Sequence, residues 1–292
     1  MTIGLTESKA NYSNLIKILY CVITLFIFFD AALLSQNRTT TSSEWKAIQL
    51  ADGITWKSKH YTNLYNSNQS INILDIDLNT PDVITDIVYD KNKRVRTSKL
   101  VESHTGAIAA VNGSFFDMKN GGSVVFLQSD SELIDTTEAD APPFITAGAV
   151  GVDLDGDMLI IDQRDQWSQT DSLEDILVTG PMLLDGGQTV ESDEIDFNLT
   201  RHPRTAIGIT RESILLAVTV DGRTAQAAGM SIPELAEFMQ RLGCVDAINL
   251  DGGGSTTMWI RGRGVVNYPS DNGEFDHKGE REVANCIVVK IK

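Results

Sequence analysis

The feature that most limits the fold is a series of short alternating runs joined by turn signals. "TAIGITRESILLAVTVDGR", residues 205–223, reads as two strands around a charged turn, followed by an Asp-Gly turn. "AGAVGVDLDGDMLIID", residues 147–162, repeats that arrangement around another Asp-Gly, and "SINILDIDL", residues 70–78, alternates apolar and polar side chains. Connections this short join strands that run in opposite directions, so hairpin pairing is expected. "ANCIVVKI" supplies a C-terminal strand. The clearest helix is "SIPELAEFMQRLGC": Ser231 and Glu234 form a capping box, Leu235, Phe238, Met239 and Leu242 share one face, and Gly243 ends it. A second helix is expected through "KLVESHT", before the strand "AIAAV". The expected fold class is therefore α+β, a mixed, largely antiparallel sheet core with a few packed helices. A chain of 292 residues, 42% of them hydrophobic, has enough apolar surface to bury such a core.

Residues 1–36 stand apart. Lys9 and Lys17 lead into an apolar segment, residues 18–29, that is long enough for the core of a signal peptide and shorter than the roughly 20 residues of a spanning helix. A signal peptide or signal anchor is expected there, then a polar Ser/Thr-rich tether over 37–44, then the folded domain over 45–292. Export to the periplasm, the cell surface or the exterior follows, with membrane anchoring through an uncleaved N-terminal segment as the competing reading. Cys21 falls inside the apolar segment. Cys244 and Cys286 are then candidates for a disulfide, with two buried thiols as the alternative.

A formal charge of −16 and a pI near 4.6 oppose attraction to a phosphate backbone, so nucleic acid is not an expected partner. A small anionic substrate remains compatible, because a local group of arginines overrides the mean field inside a cleft. "INLDGGGSTTMWI", residues 248–260, is the strongest candidate for such a place. Gly252, Gly253 and Gly254 follow Asp251 at the end of an expected strand and precede Ser255 and Thr256. A tight hairpin needs one or two glycines and no acid; three glycines let a ligand approach the backbone and its N–H groups. The loop lacks the second glycine of G-x-S-x-G, the Lys of a P-loop and the last glycine of G-x-G-x-x-G.

Other strand ends have the same mixed chemistry. "AAVNGSFFD" places Asn112 and Gly113 before Phe115 and Phe116, which either fill the core or cover the apolar face of a sugar. "RHPRTAIGI" crowds Arg201, His202 and Arg204 around Pro203, with Thr205 next, and "TVDGR" adds Asp221 and Arg223. The histidines at 60, 104, 202 and 277 have no metal-site spacing. "DLDGD", residues 153–157, has Arg164 where a calcium loop needs its last Glu, so it reads as a turn. No metal and no cofactor are expected.

Taken in order, "AIAAVNGSFF", "RHPRTAIGI", "VTVDGR", "SIPELAEFMQRLGC", "AINLDGGGSTTM", "VVNYPSDNG" and "REVAN" resemble the phosphodiester glycosidase family, including its exported bacterial members. The likeness is strongest over residues 106–292. It implies a catalytic domain that hydrolyses a sugar joined through its anomeric carbon to a phosphodiester, such as an N-acetylglucosamine-like sugar on a phosphorylated glycan or cell-wall polymer. Such a leaving group is already a stable anion, so the site needs cations and N–H donors for phosphate plus one carboxylate, rather than the usual carboxylate pair. On that reading Arg204, with Arg201 or Arg223, holds the phosphate, and Gly252 to Gly254 offer N–H groups. Asp251 is nucleophile or base, with Asp221 in reserve. Asn112, Gly113, His202, Thr205, Asn249, Ser255 and Thr256 line the sugar or orient the acids. An Asp beside a phosphate cradle repels the substrate unless an arginine intervenes, so Asp251 as a structural acceptor is the competing role. Ser114 stands where the family more often has glycine and would narrow the sugar pocket, and Glu282 stands where proline is frequent. Two other functions fit the same residues: a noncatalytic glycan-binding surface protein, and a metal-dependent phosphodiesterase that cleaves the P–O bond.

Overall fold

The computed structural model describes residues 45–90, 94–102, 104–162 and 172–292. The expected signal segment and tether, Cys21 and Arg164 lie outside these residues. All strand pairings in the described residues are antiparallel, as the hairpin signals imply.

An eight-stranded sheet takes the order Lys46–Ala51, Ile54–Leu64, Ser67–Asp77, Ile214–Val220, Arg204–Thr210, Cys244–Asn249, Met182–Asp185, Gln188–Thr189. A five-stranded sheet runs Met158–Asp162, Gly148–Asp153, Leu173–Thr179, Leu127–Ser129, Glu132–Asp135, and a second one runs Gly264–Val265, Met258–Ile260, Ala107–Asn112, Asn285–Ile291, Val83–Tyr89. Helices are few and short: Thr97–Glu102, Asp196–Leu199 and Ile232–Arg241. The result is sheet-dominated, with less helix than an α+β class usually carries.

The three sheets meet in one core, to which Leu74 and Ile207 come from the first, Val150 and Leu177 from the second, and Ile287 and Val289 from the third. Each such fully buried Ile or Leu contributes about 1.5–3 kcal/mol relative to an exposed one. The helix Ile232–Arg241 begins at the expected capping box and packs Leu235, Phe238 and Met239 inward against strands Met182–Asp185 and Cys244–Asn249. Gly243 follows it at φ +93°, the left-handed turn that a Cβ would oppose. Asp153 Oδ1 accepts the N–H groups of Asp155, Gly156 and Asp157, which makes "DLDGD" the hairpin turn that was expected.

Cys244 and Cys286 are buried and unpaired, the alternative to a disulfide between them. They lie in strands of different sheets, where each behaves as a small apolar side chain. Among the described residues no helix is long and apolar enough to cross a membrane.

Register decides where the chemistry gathers. Arg204 pairs with Val220 and Ala206 with Asn249, so Pro203, Asp221 and Leu250 leave the large sheet at one edge. Cys286 pairs with Asn112, which sets Gly113 beside Asn285 at the neighbouring edge of the third sheet. Three of the sequence-predicted motifs thus converge through pairing in the large sheet, and the fourth meets them from the third sheet.

Candidate active site

Asn112 ties these strand ends together. Its Nδ2 donates to the carbonyls of Asp251 (2.7 Å) and Gly113 (3.2 Å), while its Oδ1 accepts the Thr205 hydroxyl (2.7 Å) and the Thr257 N–H (3.1 Å). The Asp251 N–H returns to the Gly113 carbonyl, and the Gly253 N–H reaches the Pro203 carbonyl at 2.8 Å. Gly252 fits only because it lacks a side chain: a Cβ there would sit 2.7 Å from the Pro203 carbonyl oxygen. The glycine loop is therefore clamped between the third sheet and the start of strand Arg204–Thr210.

Several expected ligand residues lie within this scaffold. Asn112, Thr205, Asn249, Ser255 and Thr256 are fully buried. Asn249 donates to the Gly180 and Leu250 carbonyls. Ser114, expected to narrow the sugar pocket, is buried and gives its hydroxyl to the Val178 carbonyl. Phe116 belongs to the core, and Phe115 packs near Phe197 at 6.2 Å between centroids.

Arg204 is buried beneath the strand ends. It is 1% exposed, its Nε donates to Met230 O and one Nη to Phe197 O and Thr200 O, and its guanidinium lies 4.7 Å over the Phe197 ring. Among the described residues no carboxylate pairs with it, and its positive charge reaches the site through space. Burial, and then the charge of Arg223, lower its pKa to about 10, which leaves it protonated near neutrality. Arg201 is also engaged elsewhere, by Glu234 of the capping box and the Tyr65 carbonyl.

Asp221 is likewise held inside the protein. Only 1% exposed, it accepts the Ser70 hydroxyl (2.7 Å), Asn267 Nδ2 (3.0 Å) and the Tyr268 N–H (2.8 Å). Burial raises its pKa to about 6 against these hydrogen bonds. Its work is to hold the segment that begins at Asn267 against the end of strand Ile214–Val220.

What stays open to a ligand is a smaller set. Asp251 is half-buried, with Oδ1 accepting the Gly252 N–H at 2.9 Å. Burial raises its pKa to about 6, while the Ser255 hydroxyl, the charge of Arg281, the Gly252 N–H and the charge of Arg223 pull it down. Arg223 is exposed and sits at φ +65°, a strained left-handed conformation for a residue with a side chain. Its guanidinium lies over Gly253, 2.9 Å from where a Cβ would stand. Arg281, to which the sequence reading gave no role, covers Gly254 together with Asp271, whose Oδ1 accepts its Nε (3.1 Å) and Nη2. His202 is half-buried nearby; burial and the charges of Arg204 and Arg223 lower its pKa and favour the neutral ring.

Two of the glycine N–H groups are spent inside the protein, that of Gly252 on Asp251 and that of Gly253 on Pro203. The glycines therefore act mainly as a floor on which two guanidinium groups rest. Replacing Gly254 by Ala checks this: its φ is not in the left-handed region and the atoms a Cβ would meet are side-chain ends, so the melting temperature should barely move. Displacing Arg281 should nonetheless raise KM for an anionic substrate roughly tenfold.

Comparison with known proteins places this arrangement. Residues 105–290, which include Asn112, Arg223, Asp251 and Arg281, match the phosphodiester glycosidase family. The chain belongs to that family. This phosphodiester glycosidase family member is 30% identical over 196 residues to N-acetylglucosamine-1-phosphodiester alpha-N-acetylglucosaminidase of Mus musculus, covering 62% of this chain and 37% of the mouse protein. It is 28% identical over 197 residues to the Bos taurus protein of the same name, covering 62% of this chain and 36% of that one. The chain thus spans little more than a third of these relatives. Its fold is that of the zebrafish N-acetylglucosamine-1-phosphodiester alpha-N-acetylglucosaminidase catalytic domain, with TM-score 0.64 and 20% identity over 87% of this chain and 86% of the other. A Synechocystis protein has a similar fold, with TM-score 0.65 and 16% identity over 86% of this chain and 64% of that one.

Proposed function

We propose that this family member hydrolyses the bond between the anomeric carbon of a sugar and the oxygen of a phosphodiester, releasing free sugar and a phosphomonoester. The observation that carries the reading is a half-buried carboxylate, Asp251, set among the charges of Arg223 and Arg281 on a loop of three glycines. This answers the repulsion problem: two cations stand beside the acid, so a phosphodiester anion and an ionised Asp251 share the site.

In this scheme Arg223 and Arg281 take the non-bridging phosphate oxygens and stabilise the departing phosphomonoester. No acid has to protonate the leaving oxygen. As the C–O bond breaks, positive charge builds at the anomeric carbon, where the Asp251 carboxylate either stabilises it or takes a proton from the attacking water. Water supplies the oxygen that ends on the sugar. The buried Arg204 adds a fixed positive field, and neutral His202 offers a hydrogen-bond partner at the rim.

The similarity to N-acetylglucosamine-1-phosphodiester alpha-N-acetylglucosaminidases supports N-acetylglucosamine as the sugar, carried on a phosphorylated glycan or cell-wall polymer. The apolar segment over residues 18–29 supports export and possession of a signal peptide or anchor. Among the described residues no three His, Cys, Asp or Glu side chains converge as a metal site does, so the P–O-cleaving reading gains no support. The test is incubation of the full-length chain with a methyl phosphodiester of N-acetylglucosamine 1-phosphate. Equal amounts of N-acetylglucosamine and methyl phosphate are expected, at a rate that a chelator leaves unchanged. Absence of turnover across a panel of sugars would contradict the proposal.

A further inference from the structure

We infer that Asp271 makes the site select a singly charged phosphodiester over a doubly charged phosphomonoester, and so drives off the phosphomonoester product. The inference rests on the reading above that Arg223 and Arg281 receive the phosphate.

Asp271 belongs to the segment that Asp221 pins at Tyr268, and its own N–H is held by the Gly279 carbonyl at 3.2 Å. These ties keep its carboxylate on Arg281, over Gly254. Ser270, the preceding residue, places its hydroxyl 3.5 Å from Arg223 Nη1. Asp271 therefore sits directly on Arg281, and its neighbour Ser270 on Arg223, so the segment reaches both cations that would take the phosphate.

The charges nearest the bound group then offset one another. Arg223 and Arg281 contribute two positive charges, and Asp251 and Asp271 two negative ones; His202 is neutral, and the buried Arg204 adds one further positive charge through space. A phosphodiester brings one negative charge. A phosphomonoester, whose second ionisation lies near pH 6, brings close to two at pH 8. At separations of about 5–6 Å and partial solvent exposure, one extra unit of like charge beside Asp271 weakens binding roughly tenfold. Substrate and product thus differ by the charge that Asp271 opposes, although they share the same phosphate contacts.

A merely orienting role for Asp271 predicts something else. If the carboxylate only steadied Arg281, its loss would weaken both kinds of phosphate alike. The experiment uses the full-length chain at pH 8, with methyl phosphate and dimethyl phosphate as probes followed by ligand-observed NMR titration. Asp271→Asn should strengthen binding of methyl phosphate about tenfold more than binding of dimethyl phosphate, so that the affinity ratio of the two probes shifts about tenfold toward the monoester. Asp271→Glu, which keeps the charge, should retain the wild-type ratio. An unchanged ratio in Asp271→Asn overturns the inference. Wild-type protein that binds neither probe, or binds them equally well after Arg223→Ala, overturns both the inference and the phosphate-binding scheme beneath it. An Arg223-dependent affinity whose ratio ignores Asp271 overturns the inference alone.

Discussion

Asp251→Asn lowers kcat for a sugar 1-phosphodiester by about 10³-fold, within the range expected for losing a positioned base or a charge opposed to the transition state. The substitution is nearly isosteric, and an Asn oxygen still accepts the Gly252 N–H that Asp251 accepts at 2.9 Å. Folding should therefore survive, which a thermal melt beside the assay would check. In the wild type the acid limb of kcat/KM should turn near pH 6, because burial holds Asp251 protonated up to about that value. Activity rises with pH through this point as the carboxylate ionises, then levels off. A kcat loss of less than tenfold would assign Asp251 the competing role of a structural acceptor and shift the chemistry to another group.

The largest effect on stability is expected at Asn112. Asn112→Ala removes two donated and two accepted hydrogen bonds at a fully buried position, leaving the Asp251 carbonyl, the Thr205 hydroxyl and the Thr257 N–H without partners. Unsatisfied buried groups cost about 1–3 kcal/mol each, with partial relaxation, so a loss of about 3–5 kcal/mol is expected. Chemical denaturation should show the midpoint falling with the slope unchanged. Activity should fall with it even where the protein stays folded, since Asn112 fixes the carbonyl of Asp251. A loss below about 1 kcal/mol would show that the strand ends do not depend on this side chain.

The sheet was legible because alternation and Asp-Gly turns act locally: a strand such as Gly148–Asp153 and its partner Met158–Asp162 are joined by a few residues whose turn chemistry allows no other pairing. The helix Ile232–Arg241 was legible for the same reason, through its capping box. Arg204 misled because strand Arg204–Thr210 lies in the middle of the large sheet and is buried on both faces, so alternation gives no inward or outward side to its first residue. Asp221 looked available for chemistry, yet its partners Ser70, Asn267 and Tyr268 come from distant parts of the chain. Arg281 opens "REVAN", a stretch with no local signal of a charge aimed at a site. Its place over Gly254 comes from the irregular segment that returns from Asn267, which carries no periodic signal. The cysteines illustrate the same limit, since compartment chemistry allowed a pairing that the fold does not make.

The central claim is that the carbon–oxygen bond breaks while the phosphorus–oxygen bond survives. Hydrolysis of the methyl phosphodiester of N-acetylglucosamine 1-phosphate in water enriched in heavy oxygen, with both products weighed by mass spectrometry, tests it most directly. The label is expected in the free sugar, with methyl phosphate unlabelled; label in the phosphate would contradict the account and mark a phosphodiesterase.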